Sequence, residues 1–153
     1  PEKRAELTTE GGLDVAGQVA WLTDYVSKLQ AVGIKVSLFI DPEDKQIAAA
    51  VSCGADAIEL HTGAYAEAGL AGNIAKMNDE LTRIKQAVQT AQHADPKLLV
   101  NAGHGLTRDN VHAIAQIDGI YELNIGHALI ADAVFVGLEQ AVIMMKSAMR
   151  QNA

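Results

Sequence analysis

Four short apolar runs, each followed by a helix-type pattern, constrain the fold of this chain more than any other feature. The runs are residues 35–40, 56–61, 97–102 and 121–125, and each carries large aliphatic side chains. Strands that alternate with helices pair in parallel, because each helix returns the chain to the start of the next strand. Two arrangements of such a parallel sheet remain possible: a doubly wound open sheet and a (β/α)8 barrel. A barrel normally needs at least about 200 residues, so these 153 residues would supply half of one.

The helix boundaries follow from apolar spacing, capping residues and chain breakers. Apolar residues three and four apart predict a helix over 13–32, with Gly33 as its C-terminal cap. Asp41 and Pro42 predict an N-cap and a first-turn proline for a helix that ends near Cys53. The remaining predicted segments are a loop over 62–72, a helix over 73–92, a helix after the N-cap Thr107, and helices over 127–137 and 138–150.

Composition narrows the class of protein. The net charge is −7, which disfavours a general nucleic-acid surface but leaves phosphorylated metabolites open. No apolar run approaches the ~20 residues of a membrane span, so no membrane partner is expected. The single cysteine, Cys53, cannot form an internal disulfide, which favours a cytoplasmic location.

Polar side chains are expected inside the sheet at its working end. In parallel α/β folds that end is the carboxyl end of the strands. Because side chains alternate along a strand, Glu59 and His61 share one face, and Asn124 belongs to the same face. A carboxylate there is costly without a partner, so Glu59 is a candidate functional residue. The alternative is that Glu59 only ties strands together through hydrogen bonds.

Two loops with the same pattern predict a phosphate site. NAGHGL (101–106) and NIGHAL (124–129) each follow a predicted strand and precede a predicted helix. Glycine allows the backbone to approach a ligand closely, and helix starts offer unpaired N–H groups. His104, between two glycines, suits acid–base work, whereas His127 at a helix start suits contact with a phosphate. Alternatively, the glycines serve only as tight turns.

Other chemistries are weaker. Glu59, His61 and His104 could hold a metal ion, but no tight ligand motif is present. Lys35 and Lys97 lie at strand starts, the wrong end for a Schiff-base lysine. Cys53 ends a helix on the opposite side, and His93 and His112 are expected to be solvated on helices.

Several long motifs in one order resemble a known family. They are PEKRAELTTEGGLDV, VSLFID, IELHTGAYA, VNAGHGLT and ELNIGHALI. Together they closely resemble the pyridoxine 5′-phosphate synthase family, barrel enzymes of bacterial vitamin B6 synthesis. The resemblance implies an α/β fold, a parallel (β/α)8 TIM barrel. Residues 1–153 would form the carboxyl-terminal part of that single domain, with four of its strands.

The resemblance also implies a reaction and roles for residues. The reaction condenses 3-amino-2-oxopropyl phosphate with 1-deoxy-D-xylulose 5-phosphate to pyridoxine 5′-phosphate, phosphate and water, without a metal or organic cofactor. His104 matches the catalytic proton donor and Glu59 the carboxylate that stabilises the transition state. The matches to substrate-binding positions are Thr8 for the deoxyxylulose phosphate, and Gly105, Gly126 and His127 for the aminoacetone phosphate.

The resemblance finally implies small phosphorylated substrates and a homo-oligomer, up to an octamer. The family's other catalytic His and Glu and its substrate-binding arginines lie in segments that this chain does not contain. We therefore expect the isolated 153-residue chain to be inactive and poorly soluble, with two exposed sheet edges. Two alternatives are a non-catalytic module that binds a phosphate ligand and another phosphate-handling barrel enzyme, such as an isomerase.

Overall fold

A four-stranded parallel sheet forms the centre of the chain. The computed structural model describes residues 11–150, and the strands pair in the order β1-β2-β3-β4. Their bounds are β1 Ser37–Ile40, β2 Ala57–His61, β3 Leu99–Gly103 and β4 Glu122–Asn124. All four predicted strands are therefore confirmed, and so is the α/β class with parallel pairing.

Helices connect the strands and cover the sheet. A 3-10 turn at Ala16–Gln18 leads into the first helix. The helices are α1 Val19–Ala31, α2 Asp44–Ser52, α3 Gly63–Leu70, α4 Ile74–Ala94, α5 Val111–Ala115, α6 His127–Val136 and α7 Leu138–Arg150. Gly33, Gly54 and Gly137 follow α1, α2 and α6 with positive φ angles, so these predicted helix ends are confirmed.

The strand register decides which side chains share a face. Glu59 pairs with Phe39 on one side and Asn101 on the other, while Gly103 pairs with His61 and Asn124. The residues between them face the helices and are buried: Ile40, Ile58, Leu60, Val100 and Ala102. The apolar core thus lies between the sheet and the helices, and the polar positions are left on the opposite face.

The predicted helix over 13–32 begins too early. Leu13 instead runs beside β1, where its N–H donates to the Phe39 carbonyl at 2.8 Å, and Val15 is fully buried. The Asp14 carboxylate accepts from the Gly17 N–H at 3.1 Å and from the Gln46 amide at 2.9 Å. These contacts hold residues 13–15 outside any regular helix, and after the 3-10 turn the α-helix starts only at Val19.

The predicted start of the second helix at Asp41 and Pro42 is also wrong. The helix begins at Asp44, and its N-cap is Glu43, whose carbonyl accepts from the Ile47 N–H at 3.1 Å. Asp41 does not cap the helix, because its side chain pairs with His61: Asp41 Oδ1 lies 3.2 Å from Nδ1 of His61. The residue that the local sequence predicts as a helix cap is thus part of the polar end of the sheet.

The predicted loop over 62–72 contains a helix. Glycines at 63, 69 and 72 suggested a loop, but the alanine-rich segment between them favours a helix. Tyr65 of α3 is 1% exposed and its hydroxyl donates to the Asn110 carbonyl at 2.8 Å. Burial of this side chain and of Ala66 and Ala68 stabilises the helix that the glycines obscured.

Two smaller predictions hold only in part. Thr107 starts a turn rather than the helix itself: its carbonyl accepts from Val111 at 3.0 Å, and α5 begins at Val111. His93 is exposed as expected, but His112 is half-buried, with Nδ1 3.3 Å from the Met149 carbonyl.

Cys53 is buried, and it forms no disulfide among residues 11–150. Over the same residues, no helix has the length and apolar composition that crossing a membrane requires.

Candidate active site

A cleft of about 620 Å³ opens at the carboxyl ends of the strands. Its lining combines the end of β1, the middle of β2 and the two loops that contain Gly-His. The lining residues are Phe39, Glu59, Asn124, Ile125, the segment 104–107 and the segment 126–128. Five of the six predicted site residues therefore meet in one cavity. The sixth, Thr8, lies outside the described residues.

Glu59 is held at the base of this cleft by a neighbouring strand. Asn124 Nδ2 donates to Glu59 Oε2 at 2.7 Å, across the intervening strand β3. The bond passes over Gly103, where a Cβ atom would overlap Glu59 Oε1 and lie 2.9 Å from the Asn124 carbonyl oxygen. The missing side chain at Gly103 is therefore what allows the carboxylate to cross β3. Glu59 does tie strands together, and it also remains part of the cleft wall.

His104 has an unusual backbone conformation. Its φ of 81° is the one positive φ at a non-glycine residue within residues 11–150. Such a conformation costs of order 1–3 kcal/mol and persists only where surrounding contacts enforce it. Here the next residue, Gly105, also has a positive φ of 73°, and the chain bends directly after β3.

Thr62 makes the contacts that hold this bend. It is fully buried, its N–H donates to the Gly103 carbonyl at 2.8 Å, and its hydroxyl lies 2.6 Å from the His104 carbonyl. The same hydroxyl also lies 2.7 Å from the Gly103 carbonyl oxygen, so its one proton is shared between the two carbonyl groups. Thr62 thus links the end of β2 to the strained residue.

Three rings cluster at this end of the sheet. The centroids of the His61 and His104 rings are 4.8 Å apart, and Phe39 meets His61 edge-on at 5.1 Å. Burial lowers the pKa of His61, and repulsion from His104 lowers it further, while Asp41 opposes both effects. His61 is therefore favoured as a neutral imidazole.

The second loop has a different geometry. Gly126 precedes α6, which begins at His127, and both residues are exposed. Nothing lies within 4 Å of a Cβ atom built at Gly126. The first N–H groups of a helix have no partner within it and carry the positive end of its dipole. The start of α6 can therefore accept an anionic group that enters the cleft.

Gly105 lines the cleft and also packs closely against α3. A Cβ atom at this position would lie 2.6 Å from the Ala66 methyl group. The Gly105 carbonyl accepts from Asn110 Nδ2 at 3.2 Å, which fixes the peptide that follows His104. Gly105 therefore keeps both the close packing against α3 and the left-handed turn.

Sequence reasoning missed several residues of this region. Asp41 was interpreted as a helix cap, and Phe39, Thr62 and Asn101 were not singled out. Strand alternation would have placed Phe39 and Asn101 on the same face as Glu59. Asn101 is 8% exposed and its Oδ1 has no hydrogen-bond partner among the described residues. The hydrogen bonds from Thr62 to the Gly103 and His104 carbonyls, which we call the Thr62 clamp, have no comparable sequence signal, because they depend on how two loops meet.

The metal alternative gains no support from the geometry. Within residues 11–150 no three His, Cys, Asp or Glu side chains come together as a metal-ligand set. Glu59 is engaged by Asn124, and His61 by Asp41. The arrangement instead offers a carboxylate, an imidazole and a helix start around one cavity, which is a set for acid–base chemistry on an anionic ligand.

Comparison with known proteins assigns a family to this arrangement. The model of a family described as "Pyridoxal phosphate biosynthesis protein PdxJ" matches residues 1–151. The pyridoxine 5′-phosphate synthase of Synechococcus sp. (strain JA-2-3B'a(2-13)) is 56% identical over 149 residues, 97% of this chain and 60% of that protein. The enzyme of the same name from Alcanivorax borkumensis is 55% identical over 147 residues, 96% of this chain and 58% of that protein. The chain thus spans about three fifths of the length of these relatives.

Proposed function

The chain belongs to the PdxJ family of pyridoxal phosphate biosynthesis proteins, and from this premise we propose that it acts as a pyridoxine 5′-phosphate synthase. The substrates would be 3-amino-2-oxopropyl phosphate and 1-deoxy-D-xylulose 5-phosphate. The products would be pyridoxine 5′-phosphate, inorganic phosphate and water. The observation that carries the proposal is the single cleft that brings Glu59 and His104 together with the start of α6.

The roles of the residues are those that the family resemblance implies, and their places in the cleft support them. His104 donates a proton, because its imidazole lies at the cleft wall on a loop that the structure holds in a strained conformation. Glu59 stabilises positive charge that develops on the substrate, because its carboxylate is fixed by Asn124 and faces the cavity. Ring closure requires several proton transfers, so acid–base groups on more than one side of the substrate are needed.

The phosphate of the aminoacetone substrate binds between the two Gly-His loops. Gly105 and Gly126 leave the backbone open to a ligand, and His127 lies at the helix start. Helix dipole and unpaired N–H groups favour an anion there, although the net charge of the chain is −7. Thr8 is assigned to the deoxyxylulose phosphate by family resemblance alone.

The four-stranded sheet is part of this proposal, as the carboxyl-terminal portion of a (β/α)8 barrel. In the described structure β1 and β4 each pair with one strand only. Val134 and Phe135 of α6 are 78% and 87% exposed, which is costly for side chains of this size unless they pack against further protein. Residues 1–153 alone would therefore lack turnover, and the complete enzyme would form a homo-oligomer. A cytoplasmic location fits the single buried thiol.

Product formation tests the function directly. The full-length protein that carries this chain is incubated with both substrates, and pyridoxine 5′-phosphate is detected by mass and absorbance, with released phosphate measured in parallel. Product and phosphate in equal amounts are expected. Binding of a substrate without any product would instead support a non-catalytic phosphate-binding protein. The same assay on residues 1–153 alone should give no product, and turnover near that of the full-length protein would contradict the barrel assignment.

A further inference from the structure

His61 and Asp41 form a pair next to His104, with the rings of the two histidines in contact. The Asp41 carboxylate lies 3.2 Å from Nδ1 of His61, within hydrogen-bonding distance. A carboxylate can only accept, so this contact places the proton of neutral His61 on Nδ1. Nε2 is then left as an acceptor.

That acceptor is buried and has no partner. Nε2 of His61 makes no hydrogen bond among the described residues. A buried polar atom of this kind usually carries a functional or structural explanation. The nearest polar ring is His104, whose centroid lies 4.8 Å from that of His61 at an interplanar angle of 53°.

Gly63 keeps the space between the two imidazoles open. A Cβ atom at Gly63 would lie 2.7 Å from His61 Nε2 and 3.1 Å from His104 Cδ2. Any side chain at this position would separate the two rings or displace them. Gly63 starts α3 directly after Thr62, which holds the His104 backbone, so one short segment sets both the position and the surroundings of His104.

We infer that Asp41 and His61 position His104 for proton donation: when His104 is protonated, one of its ring N–H groups donates to Nε2 of neutral His61, an acceptor that is free within the described part of the structure. This inference rests on the proposed function. A protonated His104 carries two N–H groups, and only one of them is given to the substrate. The second N–H donates to His61, which fixes the ring orientation and the tautomer that remains after the transfer. No proton leaves His61 or Asp41.

The burial of His61 supports this role. The Phe39 ring packs edge-on against His61, and the His61 side chain is 16% exposed, so water competes weakly for Nε2. The low pKa that burial gives His61 keeps its acceptor free while His104 carries the proton. The charged groups that face His61 are Asp41, His104 and, at longer range, Glu67.

Two substitutions at His61 separate positioning from simple structure. His61→Asn retains a donor near the Nδ1 position but loses the acceptor near Nε2, whereas His61→Gln retains a polar group near Nε2. In the full-length protein we expect His61→Asn to lower kcat about tenfold or more with KM changed less than about twofold, which is at least ~1.4 kcal/mol in the barrier. His61→Gln should recover most of that loss. His93→Asn, at an exposed histidine of α4, is the matched control and should leave kcat unchanged.

A measurement without substrate tests the contact itself. The nitrogen chemical shifts of the His61 ring, by 15N NMR on the folded protein, should show the proton on Nδ1 in the wild type. In Asp41→Asn that tautomer should lose its preference, and in His61→Asn the tautomer ratio of His104 should change. If His61 is protonated on Nε2 in the wild type, or if His61→Asn matches His93→Asn in kcat, the inference is overturned. If the NMR result holds but no pyridoxine 5′-phosphate forms, the proposed reaction fails and the His61–His104 contact stands.

Discussion

The two Gly-His loops have nearly the same sequence and very different structures. In NAGHGL, His104 has a φ of 81°, is half-buried and packs beside His61. In NIGHAL, His127 is exposed and forms the first residue of α6. The first loop follows β3, inside the sheet, and the second follows β4, at its edge.

The difference shows that surroundings, rather than the motif, decide the conformation of each loop. Gly105 allows a second left-handed residue after His104, whereas Ala128 takes the equivalent position in the other loop and continues the helix. Thr62 then fixes the carbonyl of His104, and no corresponding strand lies beyond β4 in the described structure to hold His127. The strained loop suits a proton donor, and the helix start suits a phosphate.

The largest expected effect separates the two histidines by kinetics. In the full-length protein, His104→Ala should lower kcat by about 10²–10⁴-fold with KM largely kept, because general acid catalysis contributes this much. His127→Ala should mainly raise KM for 3-amino-2-oxopropyl phosphate, by about tenfold, because it removes a contact made equally in the ground and transition states. Steady-state assays in which each substrate is varied measure both. Equal effects of the two substitutions on kcat would remove the division of roles.

The next effect compares the two glycines that precede the histidines. Gly103→Ala should lower the free energy of unfolding by about 1–3 kcal/mol, because the new methyl group overlaps the Glu59 carboxylate and crowds the Asn124 backbone. Gly126→Ala should stay within about 1 kcal/mol of the wild type, since its surroundings are open. Urea unfolding of the two variants gives both values. A loss of the same size in both variants would contradict the difference between the crowded surroundings of Gly103 and the open surroundings of Gly126.

A smaller effect is expected from the Thr62 clamp, which holds the first loop and has no counterpart at the second in the described part of the chain. Thr62→Val removes the buried hydroxyl but keeps the side-chain volume, so it should cost about 0.5–1.5 kcal/mol of unfolding free energy. Thr23→Val is a matched control, because its hydroxyl donates to the Val19 carbonyl on an exposed helix surface at 2.8 Å. The control should change stability by less than about 0.5 kcal/mol. Thermal unfolding at one pH compares the two, and equal losses would show that Thr62 has no special role.

The last effect is a pH dependence at His61, whose ring packs beside His104 of the first loop. The folded-state pKa of His61 is lowered, chiefly by burial and then by His104. The unfolded chain therefore binds a proton more readily, and His61 reduces stability as the pH falls below its ordinary value of 6.5. The stabilising contribution is present above that pH and is lost on acidification. His61→Asn should flatten this part of the stability profile, and urea unfolding between pH 7.5 and pH 5.5 provides the measurement. A slope in His61→Asn equal to that of the wild type would contradict the lowered pKa of His61.

Much of the fold follows from local pattern. The four strands, the α6–α7 pair and the stops at Gly33, Gly54 and Gly137 were predictable, because aliphatic runs and glycine ends act over a few residues. The helix over 63–70 was not, because its glycines resemble a loop and its stability comes from burying Tyr65. Asp41 was misassigned because its contact is also non-local: its partner, His61, is 20 residues away in the sequence.

The sequence by itself determined five of the residues that line the cleft at the working end of the sheet. Strand alternation and the two Gly-His motifs are short-range properties, and they placed Glu59, His104, Gly105, Gly126 and His127 at one cavity. Only the tertiary structure decided that His104 is strained and held by Thr62, that Glu59 reaches Asn124 across Gly103, and that His61 lies between Asp41 and His104. Each of these depends on strands and loops separated by 20 to 65 residues, and such contacts form only when the sheet brings the segments together.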